Sequence, residues 1–146
     1  MGNICTTLVT FYGEDAGKLY RNIEEWLPKD EASNFKYDGW LGNIVKGAGI
    51  DLESLDCDCR GDIECYNYYP EYEQLDITQS DQWYPMVRIW PKVIEKMGYD
   101  LDIVYLAEEP ANDLYWTNDT AAEGEDAIGE GTPYKLVEID EIPKRR

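Results

Sequence analysis

Cysteines and paired carboxylates are the side chains with the most chemistry to offer in this 146-residue chain. Histidine is absent, so neither a Ser-His-Asp nor a Cys-His arrangement can form. The nucleophile elbow, the P-loop and the dinucleotide-binding glycine fingerprint are absent as well. The thiols are Cys5 and a Cys57-x-Cys59-x5-Cys65 run. Residues two apart on an extended segment face the same side, which leaves a thiolate site open. Structural zinc uses wider pairs such as C-x2-C, and buried free thiols are the simpler reading for Cys5 and Cys65. The run from Asp56 to Gly61 resembles the start of a calcium-binding EF-hand loop. Arg60 stands at its fifth position and Asn67 at its twelfth, where oxygen ligands belong, so a solvated acidic loop is the better reading. Glu108 and Glu109 are the best adjacent pair for acid–base work. The plainer expectation is that Glu109 binds a backbone amide or caps a turn while Glu108 is solvated. No catalytic, metal or cofactor site is assigned.

Charge is the more informative property. The chain has 31 acidic against 13 basic residues, a net charge of −18. Such a surface repels nucleic-acid phosphates and anionic membranes and attracts cations or basic proteins. Ten acids and no Lys or Arg lie between Lys96 and Lys135: Asp100, Asp102, Glu108, Glu109, Asp113, Asp119, Glu123, Glu125, Asp126 and Glu130. Spaced carboxylates of this kind can imitate a phosphate track and occupy a basic channel. Acid pairs at i,i+2 number seven, against roughly 6.6 expected by chance, so only the base-free segment is unusual. A merely solubilising surface is the competing reading.

These residues need elements to position them. Hydrophobic residues make up 43% of the chain and aromatics 13%, enough for one packed domain. Residues 3–11, rich in Thr, Val, Ile and Phe, read as a strand. Ala16, Leu19, Tyr20, Ile23, Trp26 and Leu27 recur at helical spacing, with Glu14 and Asp15 at the helix start and Pro28 as its stop. Leu41, Ile44, Val45 and Ala48 predict a short helix. Residues 61–69 and 72–78 read as a hairpin with Leu75 and Ile77 inward. Alternation puts Ile63, Cys65 and Asn67 on one face of the first of these strands, and Asp62, Glu64, Tyr66 and Tyr68 on the other. Should that second face be open to solvent, it is an acidic, tyrosine-bearing patch suited to a protein interface. Should helices cover it, the two tyrosines are core residues. Residues 83–97 predict a helix kinked or started late by Pro91, and residues 101–107 a fourth strand. Residues 1–117 thus form the core of a single domain over 1–146. Residues 118–132 form an acidic loop, and 133–146 a candidate edge strand with a short basic tail. No segment reads as a signal peptide or membrane span, and the free thiols point to a cytoplasmic protein. Met1-Gly2 with Thr6 fits a myristoylation pattern, though these residues read better as the start of the strand.

The order strand, helix, strand, strand, helix, strand is the βαββαβ order of a ferredoxin-like α+β fold: an antiparallel sheet with helices on one face. Cys5-Thr6-Thr7-Leu8, Cys59-Arg60-Gly61, Trp83-Tyr84-Pro85 with Trp90, Tyr105 to Pro110, and Tyr115 to Asp119 follow in turn. Together they resemble the YubB-like ferredoxin-fold proteins of plasmids and phages. The resemblance spans most of residues 1–119 and implies a ferredoxin-like domain of mobile-element origin, with no activity to carry over. The expectation is a non-enzymatic binding protein docking on a basic, nucleic-acid-binding host protein, as an anti-defence inhibitor or DNA mimic. Its candidate surface is Asp62, Glu64, Tyr66, Tyr68 and the acids from Asp100 to Asp126. Self-association through the open sheet face, or metal binding, is the alternative.

Overall fold

The computed structural model describes residues 4–30, 37–120 and 134–143. Its elements are β1 (Cys5–Tyr12), α1 (Ala16–Trp26), α2 (Leu41–Gly47), β2 (Gly61–Tyr69), β3 (Gln74–Asp81), α3 (Ile89–Met97), β4 (Asp102–Glu109), β5 (Leu114–Thr117) and β6 (Lys135–Leu136). The strands form one mixed sheet in the order β2-β3-β1-β4-β5-β6. Every pairing is antiparallel except β5 with β6. The architecture is α+β.

Strand β1 lies at the centre. Its odd residues Cys5, Thr7, Val9 and Phe11 are fully buried, while Thr6, Leu8 and Tyr12 are exposed. This period of two gives the sheet one inner face under the helices and one outer face. Val9 sits between Ile77 on β3 and Tyr105 on β4, and Phe11 between Leu75 and Ile103. From α3, Trp90 sets its ring edge-on to Phe11 at 5.1 Å. Leu19 and Ile23 of α1 are fully buried on the same side, worth about 2 kcal/mol each. Asp15 does not cap α1 with its side chain: its carboxylate accepts the backbone N–H of Asp100 at 2.8 Å, pinning the helix start to the entry of β4.

A buried polar network completes the inner face. Asp81, fully buried, accepts hydrogen bonds from Thr7 Oγ1 (2.9 Å), Gln79 Nε2 (3.0 and 2.9 Å) and the Met86 N–H (2.8 Å). Gln79 Oε1 in turn accepts from Trp90 Nε1 at 3.0 Å. Gly61 is the residue opposite Asp81, and a Cβ there would collide with the carboxylate.

Three expectations need correction. The helix expected from residue 83 begins at Ile89, because the Met86 N–H is taken by Asp81 and Pro85 and Pro91 restrict the backbone. Pro91 falls in the first turn, where its missing N–H costs nothing. Residues 114–117, placed in the core without an element of their own, form β5. The edge strand expected within 133–146 is the two-residue β6. The segment that follows is held by Arg88, which donates to the carbonyls of Ile142 (2.9 Å) and Asp140, and by Tyr105, whose hydroxyl donates to Val137 O at 2.5 Å. Among the described residues, no helix is long and apolar enough to cross a membrane.

Candidate functional site: the open face of the sheet

The inner face offers little chemistry. Cys5 is fully buried beside Asp81, and burial pushes its thiol up to about 12, the opposite of an activated nucleophile. Burial likewise pushes Asp81 up to about 7, against the pull of its donors on Met86, Gln79 and Thr7. Its contacts tie β1 and β3 to the 82–88 loop, through Thr7, Gln79 and the Met86 N–H. Glu109 binds no solvent-facing partner: it is 2% exposed, and its Oε2 has no hydrogen bond. Cys57 and Cys59 are half-buried and Cys65 is exposed, contrary to the expectation of a buried Cys65. Among the described residues, no three Cys, Asp or Glu side chains gather as a metal site. Asp56 instead pairs with Lys92 at 2.6 Å.

The outer face carries the more suggestive arrangement. The register lays its residues in four rows across the strands. The first is Asp62, Ser80, Thr6, Glu108, Tyr115; the second is Cys65, Thr78, Leu8, Leu106. The third is Asn67, Asp76, Thr10, Val104; the fourth is Tyr69, Gln74, Tyr12, Asp102. These rows contain four carboxylates and no Lys or Arg. Their middle is Leu8, Leu106 and Val104 with threonine hydroxyls, and Tyr12 and Tyr69 stand exposed at one end. At the other end Glu108 accepts the hydroxyl of Tyr134, whose ring meets Tyr115 edge-on at 5.8 Å. An apolar and tyrosine-bearing centre within a polar rim is the composition of a protein interface.

The structure distributes the expected site residues unevenly. Asp62, Asp102 and Glu108 share this face. Tyr66 and Tyr68 do not, because β2 carries a bulge between Ile63 and Cys65. The bulge inverts the alternation beyond Glu64, so Cys65, Asn67 and Tyr69 turn outward and Tyr66 and Tyr68 turn under α1. There Tyr68 stacks on Tyr20 at 5.2 Å, and Tyr66 lies between Tyr20 and Tyr37 at 5.9 Å from each. Asp100 precedes β4, Asp113 occupies the left-handed position of the β4–β5 turn at φ 53°, and Asp119 follows β5. Glu123, Glu125 and Asp126 lie outside the described residues. The sequence reading missed Asp76, Leu8, Leu106 and Tyr12. The alternation of β1 around buried Val9 and Phe11 is the signal that marks Leu8 and Tyr12 as outward.

A smaller feature lies at the free edge of β2. A cleft of about 340 Å³ is lined by Asp30, Tyr37, Asp38, Gly39, Asp62, Ile63, Glu64 and Ser80. The cleft walls first, then Asp38 and Glu64, hold the Asp62 carboxyl above its ordinary range.

Geometry defines an α+β protein with an acidic, partly apolar open sheet face. No family model matches the chain, and comparison with curated proteins and with solved structures likewise finds no match.

Proposed function

We propose that this protein is a non-enzymatic binding protein that docks the open face of its sheet on a basic host protein. The observation that carries the reading is the set of four rows containing Asp62, Asp76, Asp102 and Glu108 and no cation. The net charge of −18 steers a basic partner toward it, and Leu8, Leu106, Tyr12 and Tyr69 supply apolar contact once it arrives. The absence of His from the sequence and a buried Cys5 thiol held far from its reactive form favour binding over catalysis. The order β2-β3-β1-β4, antiparallel throughout, supports a ferredoxin-like core, and the YubB-like, mobile-element origin rests on the sequence resemblance alone. Free thiols throughout the described residues favour a cytoplasmic setting. A basic nucleic-acid-binding target and an anti-defence role follow from that origin and this charge.

The spacing of the carboxylates refines the reading. Asp62 and Glu108 are three strands apart, about 14 Å, and Asp102 and Glu108 six residues apart, about 20 Å. A duplex presents one phosphate per roughly 1.7 Å of axis. This face therefore favours protein docking over phosphate-by-phosphate mimicry, which would need the acids beyond Asp119 as well.

The test is a pull-down from a bacterial lysate on a salt ladder, with identification by mass spectrometry. It compares the native chain with the double variant Asp102→Lys, Glu108→Lys. A nucleic-acid-binding protein released at moderate salt, and lost in the variant at unchanged melting temperature, supports the reading. Binding indifferent to salt, or equal in both proteins, overturns it. A mass that grows with protein concentration and no captured partner would favour self-association through Leu8, Val104 and Leu106.

A further inference from the structure

Strand β2 is the outermost strand of the sheet, and among the described residues its free edge is only partly covered. The segment 37–40 pairs with its first residues: the Ile63 N–H donates to Gly39 O at 2.7 Å, Trp40 bridges Asp62, and the Tyr37 hydroxyl donates to Glu64 O at 2.8 Å. Gly39 is required there, since any Cβ would strike the Ile63 backbone. The bulge then ends this cover, and Pro70 ends the strand. Between them Cys65-Tyr66-Asn67-Tyr68-Tyr69 has no partner strand on its outer side among the described residues. Exposed edges are normally blunted by Lys or Pro within the strand or by a bulge, and the bulge of β2 lies before Cys65. This five-residue window contains neither Lys nor Pro, and it contains no charge at all.

We infer that the uncovered edge of β2 captures an extended basic segment of the partner, which adds to the sheet as a further strand. Backbone pairing along Cys65–Tyr69 would supply affinity, and the flanking charges would choose the occupant. At one end stand Asp62 and Glu64 with Asp38 and Asp30, around the 340 Å³ cleft; at the other stand Glu71 and Glu73, both exposed. An uncharged centre between two acidic ends complements a strand with apolar residues in its middle and Lys or Arg at its ends. A second copy of this chain fits worse, because antiparallel pairing of 65–69 with itself would set Glu64 of one copy opposite Pro70 and beside Glu71 of the other, and join two bodies of charge −18. Burial first, and then the neighbouring carboxylates of Asp38 and Glu64, raise the Asp62 pKa, and a cationic side chain would relieve the carboxylate part.

The inference rests on the basic-partner reading but uses the backbone edge of β2 rather than the carboxylates of Asp102 and Glu108, so the two can fail separately. The probe is an acetylated, amidated heptapeptide with two Lys at each end and three Val between them, tested at low salt against the full chain. Its control is the same peptide N-methylated at every residue, so that neither of its edges keeps a donor, and the readout is amide hydrogen exchange. The expected result is slowed exchange confined to residues 65–69, with affinity at least about tenfold lower for the N-methylated peptide. The Asp102→Lys, Glu108→Lys variant should behave as the native chain. Equal binding of both peptides, protection elsewhere, or no binding overturns edge capture, and leaves the docking face to be judged by its own pull-down. Protection of residues 65–69 without peptide, together with a dimer mass, overturns it in favour of a second copy.

Discussion

Replacing Asp81 with Asn tests the buried network through its pH dependence. In the folded chain burial raises this carboxyl from 3.8 to about 7. The folded state therefore holds a proton that the unfolded state releases between those two values. Stability from this group is fully present below about pH 4 and is lost as pH rises through about 7. The loss between about pH 5 and about pH 8 is roughly 2–3 kcal/mol. Other carboxylates and the relief of the −18 charge also change stability over this range, so the quantity to follow is the difference between native and Asp81→Asn proteins. Asn cannot titrate, and its amide must face the Gln79 Nε2 donor that the carboxylate now accepts, at a cost of about 1–3 kcal/mol. Urea unfolding of both proteins across pH should show the native chain ahead by most at acid pH, with the gap closing by about 2–3 kcal/mol toward pH 8. A gap constant to within about 0.5 kcal/mol would show that the donors on Thr7, Gln79 and Met86 outweigh burial and keep Asp81 ionised throughout.

Other perturbations address the remaining features. Tyr66→Ala and Tyr68→Ala should each cost about 2–3 kcal/mol by chemical denaturation, whereas Tyr12→Ala and Tyr69→Ala should stay within about 0.5 kcal/mol. Equal costs would contradict the bulge in β2. Glu109→Met removes a buried oxygen that has no hydrogen bond, and the melting temperature should stay level or rise. A large fall would mean that the carboxylate has a partner the folded chain depends on. Alkylation followed by mass spectrometry should modify exposed Cys65 first and leave Cys5 untouched until the protein unfolds.

The parts legible in the sequence are those where apolar periodicity runs uninterrupted. Helix α1 follows the spacing of Leu19 and Ile23, and β1 the alternation of Val9 and Phe11. Prediction runs short where polar residues do core work. Strand β3 continues through Gln79 and Asp81, fully buried yet hydrophilic, so hydropathy reads the strand as finished at Thr78. The same carboxylate binds the Met86 N–H and delays α3 by six residues, from 83 to 89. Strand β5 has only four residues, and it is recognisable by its pairing with β4 more than by its composition. Its turn, Pro110-Ala111-Asn112 with Asp113 left-handed, repeats the turn of the first hairpin, Pro70-Glu71-Tyr72 with Glu73 left-handed.

The bulge in β2 links the fold to the proposed surface. One extra residue at Glu64 does two things. It moves Tyr66 and Tyr68 beneath α1, where their rings join Tyr20 and close the core over an otherwise thin part of the sheet. It also turns Cys65, Asn67 and Tyr69 outward, so that the last row of the open face ends in two tyrosines, Tyr69 and Tyr12, with Asp102 beside them. Without the bulge a strict alternation would leave two tyrosines in water and bury Asn67 against Leu75 and Ile77, at the desolvation cost of an unpaired amide, roughly 1–3 kcal/mol. The apolar demand of the inner face thus selects the bulge. The bulge in turn fixes which side chains a partner would meet, and it ends the cover of segment 37–40 where the uncharged edge begins.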